Sequence, residues 1–263
     1  MSEELRRLQE DVSRLQRELR LLDRGRTGVQ VQPGRTILGQ DTHIRGDLTV
    51  NGVPIALDGW SRHPTQGSRV SAYAFSVTGD YIGRFVEGTK IRLVQSGSTK
   101  FFYVVSSAYA TGNTTVTITG GSDYALSSNP PTTITDLYYS YAATPPGFPA
   151  WFDYFATSTI TGWSNPTGGL RFKMVGDQVF VDYYLTGTSN ATATSFSLPV
   201  PHAEGWHTRM GVIAQNNGTQ IQGFMQMLQN SSLVEFYTTI SWGGWTASGT
   251  KTVAGHFSYP AGN

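Results

Sequence analysis

The amino-terminal residues carry an unbroken heptad pattern. Leu5, Leu8, Val12, Leu15, Leu19 and Leu22 recur at spacings of 3, 4, 3, 4 and 3, and mostly charged or amide side chains fill the other faces. Such a ladder is the a/d seam of a coiled coil. A lone helix of roughly 33 Å, at about 1.5 Å per residue, cannot bury that stripe on itself. The pattern therefore predicts a parallel self-associated stalk over residues 1–28, with everything downstream held as a bundle of identical arms. Glu3, Glu4, Glu10 and Asp11 precede Arg17, Arg20, Arg24 and Arg26, the order that suits a helix dipole. Ser2 can cap the start, and Gly25 and Gly28 end the helix. Leu and Val at a with Leu at d leave the number of strands in the coil open.

Beyond Gly28 the period shortens to two. Residues 29–60 hold short β-branched stretches between Pro33-Gly34 and Asn51-Gly52, both turn signals. They carry too few apolar residues for a core of their own, so Ile37, Ile44, Leu48, Val50 and Ile55 call for an interwound β segment shared between copies. Residues 61–143 predict a small all-β domain, barrel or sandwich, with strands over 72–77, 90–94, 101–106, 114–119 and 137–141. Its turns fall at Thr78-Gly79-Asp80, Ser96-Gly97-Ser98, Thr111-Gly112-Asn113 and Gly120-Gly121. A Pro-rich linker, 144–150, marks a boundary. Residues 151–263 predict a second β domain, a jelly-roll-like sandwich, with strands over 171–175, 178–185, 195–199, 210–215, 220–227, 233–238 and 252–259. Hairpins are expected at Gly176-Asp177 and Asn216-Asn217-Gly218. The chain is thus mainly all-β behind a coiled coil.

Composition sharpens this picture. Charged residues make up 14% of the chain and aromatics 12%, with 30 glycines, which suits glycine-turned sheets more than a helical enzyme. The net charge of +1 gives no footprint for nucleic acid, and no apolar run is long enough for membrane insertion. There is no cysteine, hence no disulfide and no thiolate metal site. The amino terminus is polar and heptad-patterned, with no secretory signal. Residues 151–263 contain only Arg171, Lys173, Arg209 and Lys251 as cations, yet hold five of the six tryptophans. The chain runs from a charged stalk to an uncharged, aromatic end.

Three stretches resemble the tail-fibre and receptor-binding proteins of tailed bacteriophages. Gly46-Asp47-Leu48-Thr49-Val50-Asn51-Gly52-Val53 looks like the intertwined segment that such fibres place after a coiled coil. Phe75–Asp80, Gly88–Leu93, Lys100–Val105 and Tyr138-Tyr139-Ser140 look like a β module of phage tail proteins, and Arg171–Pro199 looks like their carboxy-terminal tip. The resemblance implies a homotrimer on the virion, a tail or capsid appendage that attaches to the bacterial surface, with a glycan as the receptor. Because the coil begins at Met1, it would be the coil, or a partner virion protein contacting this amino-terminal region, that docks the fibre. A purely structural appendage (head fibre, neck or decoration protein) is the first alternative.

A polysaccharide depolymerase is the second alternative. It would need paired carboxylates across a cleft. Asp177 and Asp182 are the candidates in the tip, but Asp177 occupies a predicted turn and Asp182 a strand, so no catalytic residue is assigned. His202 and His207 frame Glu204 without the spacing of a helical zinc motif, and His43 stands alone beside a possible axis, so no metal and no cofactor is expected. Sugar recognition fits better, since it uses flat aromatic faces among hydroxyl and amide side chains. Trp206, Tyr237, Trp242 and Trp245 lie in such surroundings and are the candidate receptor-binding residues. Trp242-Gly243-Gly244-Trp245 reads as a loop with little side-chain crowding.

Overall fold

A computed structural model describes residues 59–205 and 207–262, together with Val12 and the backbone of four short strands before residue 59. The seam residues Leu5, Leu8, Leu15, Leu19 and Leu22 lie outside the described residues. Val12 is helical and exposed. The chain divides into a unit over Met1–Thr49 and a unit over Val50–Asn263. In the first, β1 (Val29–Gln32) and β2 (Arg35–Leu38) pair antiparallel, from Val29↔Leu38 to Gln32↔Arg35, around the Pro33-Gly34 signal. Two more strands, β3 (Leu48–Val50) and β4 (Val53–Ile55), flank Asn51-Gly52.

The next seven strands are β5 (Ser61–Arg62), β6 (Gly67–Ser71), β7 (Ala74–Thr78), β8 (Lys90–Gln95), β9 (Ser98–Ala110), β10 (Asn113–Thr119) and β11 (Thr133–Ser140). They run in the order β5-β11-β6-β7-β10-β9-β8, and β8 pairs again with β11. The sheet therefore closes on itself as a barrel, which removes its exposed edges. One edge of β11 pairs with β8, while its other edge serves β6 at Thr133–Ile134 and β5 at Tyr138–Tyr139. A register shift separates these two stretches, and Asp136 within it has a φ of +46° and an ion pair to Arg62 at 3.0 Å. The turns follow sequence chemistry closely. Ser96-Gly97 and Thr111-Gly112 both have two consecutive positive φ angles, the type I′ geometry that matches strand twist. Alternation in β8 puts Ile91 and Leu93 inside, where they meet Phe75, Phe85, Phe102, Val104, Val116 and Ile134.

The remaining strands are β12 (Phe152–Asp153), β13 (Ile160–Thr161), β14 (Trp163–Val175), β15 (Gln178–Ser189), β16 (Ser195–Ser197), β17 (Thr208–Asn216), β18 (Thr219–Met227), β19 (Leu233–Tyr237) and β20 (Thr250–Pro260). Their order is β12-β14-β15-β20-β17-β18-β19-β16-β13, one continuous antiparallel sheet. The two facing layers expected of a sandwich are here one sheet folded over. β15 and β19 stand four strands apart, roughly 19 Å along a flat sheet at about 4.8 Å per strand. Yet the rings of Tyr183 on β15 and Phe236 on β19 are 5.5 Å apart, and Tyr183 also meets Phe196 on β16 at 5.6 Å. The sheet curls into a half-barrel around these rings. The period-two burial of β15, with Val179, Val181, Tyr183 and Leu185 inside, supplies that core.

Residues 144–150 do not hang free between the two sheets. Phe148 contacts Tyr103 of the barrel at 5.0 Å and Phe152 of the half-barrel at 5.4 Å, and Phe152 touches Phe172 at 5.7 Å. The Trp60 indole N–H donates to the Pro146 carbonyl at 2.9 Å. The Ser122 N–H donates to the Asp153 carbonyl at 2.6 Å. This edge-to-face ring cluster makes the joint a packed element.

Candidate functional site

Of the four aromatic residues singled out in the tip, two come together. Tyr237 ends β19, and the turn that follows projects Trp242 back over the outer face of the half-barrel. The loop is held by its own hydrogen bonds. The Trp242 N–H donates to the Thr239 carbonyl at 3.2 Å, the Gly243 N–H to Thr239 Oγ1 at 3.1 Å, and the Thr238 N–H to the Gly243 carbonyl at 2.8 Å. A Cβ on Gly243 would collide with the hydroxyls of Thr238 and Thr239 and so would displace the bonds that close the turn. Trp242 itself adopts a φ of +63° and leaves 45% of its surface exposed. Its ring stands edge-on to Tyr237 at 5.0 Å and to Phe224 at 5.6 Å, and the Arg209 guanidinium lies 5.4 Å from its centroid.

Strand register explains this gathering. Phe224 lies opposite Gly211 and Tyr237, and Gln226 lies opposite Arg209 and Glu235. Residues two apart share a face, so both rungs point outward together. Beside the rings runs a polar triangle. Gln226 Nε2 donates to Glu235 Oε2 at 2.9 Å and to the Tyr237 hydroxyl at 3.2 Å, and that hydroxyl donates to Glu235 Oε2 at 3.3 Å. Burial, and then the charge on Glu235, raises the Tyr237 phenol above its ordinary pKa, which keeps it a donor at neutral pH. The arrangement offers an exposed indole, a guanidinium and a carboxylate on one face, with the buried Gln226 amide holding Glu235 and Tyr237 in place beneath them. It suits adsorption of a polyol against a flat ring. Arg209, Phe224, Gln226 and Glu235 were not anticipated from the sequence; only the period-two register of β17, β18 and β19 could have pointed to them.

Trp245 takes the opposite role. It is 2% exposed, and its indole N–H donates to the Phe236 carbonyl at 2.7 Å. It belongs to the core and offers no face to a receptor. The Lys251 ammonium, fully buried, sits between Trp245 at 5.2 Å and Trp163 at 5.3 Å. It donates to the carbonyls of Gly162 and Ala191, both at 3.0 Å, and to Thr194 Oγ1 at 2.8 Å. Burial lowers its pKa to about 8. Trp206 lies outside the described residues.

The other sequence candidates occupy structural positions. Asp182 is held by Arg171, with Nε at 2.7 Å and Nη2 at 2.6 Å, and Asp177 lies in the β14–β15 turn. His202 is buried, stacks on Tyr259 at 5.7 Å, and uses both ring nitrogens, on the Ala203 carbonyl at 3.0 Å and on Thr208 Oγ1 at 3.1 Å. Burial is the main cause of its lowered pKa, so it is a neutral core histidine. Among the described residues no group of three metal-ligating side chains comes together. No described helix is long and apolar enough to cross a membrane.

No family model and no curated protein matches the chain. Among solved structures it is similar to a reovirus attachment protein, sigma1, crystallised in complex with alpha-2,3-sialyllactose, at 11% identity over 90% of this chain and 87% of that one, with a TM-score of 0.22. At that score the two chains do not superpose as one fold.

Proposed function

We propose that the chain is a bacteriophage virion fibre that attaches the particle to a glycan of the bacterial surface, binding without cleaving it. The observation that carries this reading is the Trp242 face. An aromatic ring with nearly half its surface in solvent is held there by a dedicated loop, beside Tyr237, Phe224 and Arg209. Aromatic residues held rigid at little entropic cost are what a recognition surface uses. Sugars present C–H faces to such rings and hydroxyls to the flanking Glu235 and Arg209.

The leucine seam at residues 5–22 supports self-association, the resemblance to phage fibres makes the assembly a homotrimer, and its stalk is the natural contact with other virion proteins. Several tips on one stem turn weak single-site affinity into firm adhesion. The test is adsorption of the purified full chain to host cells, with Trp242→Ala and Arg209→Ala beside the wild type. The expected result is saturable binding that falls roughly tenfold or more with Trp242→Ala, in line with loss of a central aromatic contact. Equal binding by wild type and Trp242→Ala would remove the basis for this site. New reducing ends on incubation with host polysaccharide would replace the adhesin reading with an enzyme.

A further inference from the structure

The half-barrel sheet parts along one seam. β20 is laddered to β15 for its whole length, from Thr188↔Thr250 to Gln178↔Pro260. Its other edge is laddered to β17 only from Asn216↔Lys251 to Ile213↔Ala254. Continuing that register would set Val212 opposite Gly255 and Gly211 opposite His256, and these pairs do not form. Each strand carries a glycine at the fork, so no cross-strand side-chain pair holds it shut. β17 meanwhile stays laddered to β18 back to Thr208↔Met227, which confines the opening to the β17–β20 seam.

The fork leaves a cleft of about 680 Å³, with Met210 on one wall, His256 and Ser258 on the other, and Trp151, Lys173, Phe180 and Asp182 beyond them. That volume lies within the range of pockets that enclose a small ligand, roughly 300–1,000 Å³.

Its electrostatics are specific. Lys173 Nζ lies 4.8 Å from the Trp151 ring centroid and 5.6 Å from that of Phe180, so two rings fix the ammonium in place. The neighbouring cation, Arg171, also lies over Trp151, at 5.2 Å from its centroid, but is neutralised by Asp182 through two short bonds. Lys173 has no ion-pair partner among the described residues. The cleft thus combines one uncompensated cation and the neutral Arg171–Asp182 pair with aromatic walls, the hydroxyl of Ser258 and the imidazole of His256. A single lysine is a point charge, which meets an anionic group without the bidentate geometry that an arginine brings.

We infer that this cleft binds an acidic sugar of a surface glycan, with its carboxylate on Lys173 and its C–H face against Trp151. The inference rests on the attachment reading and adds to it a second contact, on the opposite side of β17 from Arg209, and a chemical class of receptor. The experiment is a glycan array of matched oligosaccharides, each uronic-acid-containing member printed beside its neutral parent and its sugar-phosphate analogue. It is probed with the labelled full chain as wild type, Lys173→Gln, Lys173→Arg, Trp151→Ala and Trp242→Ala. Unchanged melting temperatures confirm that the variants fold.

The wild type is expected to retain the carboxylated members. Lys173→Gln should lower that signal roughly tenfold or more, as loss of a charge pair at an interface does. Lys173→Arg should keep most of it, and Trp151→Ala should weaken carboxylated and neutral members alike. Retention of neutral or phosphorylated sugars only, or carboxylate binding that survives Lys173→Gln, overturns the cleft assignment and leaves the attachment reading standing. Binding to no member of the array, by wild type or variant, overturns both.

Discussion

Replacing Glu87 by Gln is expected to make the protein more stable above pH 7 and to flatten its response to pH. Glu87 lies where the barrel meets the half-barrel. The adjoining Gly88 packs so closely on the carbonyl of Gly176 that a methyl group there would overlap it. The Glu87 Oε1 atom is buried without a hydrogen-bond partner, and Asp177 of the β14–β15 turn is the nearby like charge. Burial first and Asp177 second raise the Glu87 carboxyl to about 7, against 4.5 when it is free. In the native state it therefore keeps its proton through the interval in which the unfolded chain has lost it. The unfolded state binds fewer protons there, so stability falls as pH rises. The contribution is whole below about pH 4.5 and gone once pH passes about 7. A proton held over that interval is worth at most about 3 kcal/mol, and partial access of water reduces this to ~1–2 kcal/mol. For a body of this size that corresponds to a melting shift of about 2–6 °C. The assay is thermal unfolding by circular dichroism at pH 5, 6, 7 and 8 for wild type and Glu87→Gln. The wild type should lose more of its melting temperature between pH 5 and 8 than the variant, by that amount, and Asp177→Asn should recover part of the difference. Parallel pH profiles, or a variant that melts below the wild type at pH 8, would refute the argument.

Lys251→Ala should cost about 3–5 kcal/mol, because it opens a void between two indoles and leaves the Gly162 and Ala191 carbonyls only long bonds, from the Asn190 N–H at 3.3 Å and the Ser189 hydroxyl at 3.4 Å. Urea unfolding measures it, and a loss below ~1 kcal/mol would show that the buried ammonium contributes little. Leu15→Asp places like charges in the predicted seam, which is costly wherever they are buried unpaired. Sedimentation should then show the assembly falling apart, and a monomer both before and after the substitution would end the stalk reading.

Hairpins were the most legible part of this fold. Asn217-Gly218, with φ values of +49° and +81°, joins β17 to β18 as the local residues demand, and Gly176 at +60° opens the β14–β15 turn. Long strands such as β15 could be read because alternation runs through them. The two-residue strands β5, β12 and β13 could not be read, since a pair of residues has no period. Nor could closure. Whether strands form a barrel, a sandwich or one folded sheet depends on which edges meet, and β8 meeting β11, from Gln95↔Ile134 to Lys90↔Ser140, is a long-range contact that no local pattern encodes. The stretch from Thr144 to Pro149 reads as a linker from its prolines, whereas Phe148, in the middle of it, is one of the rings that hold the joint.

The site divides along the same line. Trp242 and Trp245 stand three residues apart with two glycines between them, and composition cannot tell them apart. What separates them is hydrogen bonding. The Trp245 indole finds the Phe236 carbonyl and a buried cation, so it can be taken out of water at little cost. Trp242 occupies the left-handed position of a turn closed by threonine hydroxyls, and its ring is turned outward against Tyr237. The cleft beside β20 was less visible still. Lys173 and Trp151 are 22 positions apart in sequence and become neighbours only because β14 carries Lys173 outward where the chain enters the half-barrel. Of the four cations in residues 151–263, Arg171 is paired with Asp182, Lys251 is buried in the core and Arg209 belongs to the Trp242 face. The fourth, Lys173, rests on aromatic faces at the mouth of an open seam. In a body so sparing of charge, that placement makes it the residue on which selection between acidic and neutral sugars would turn.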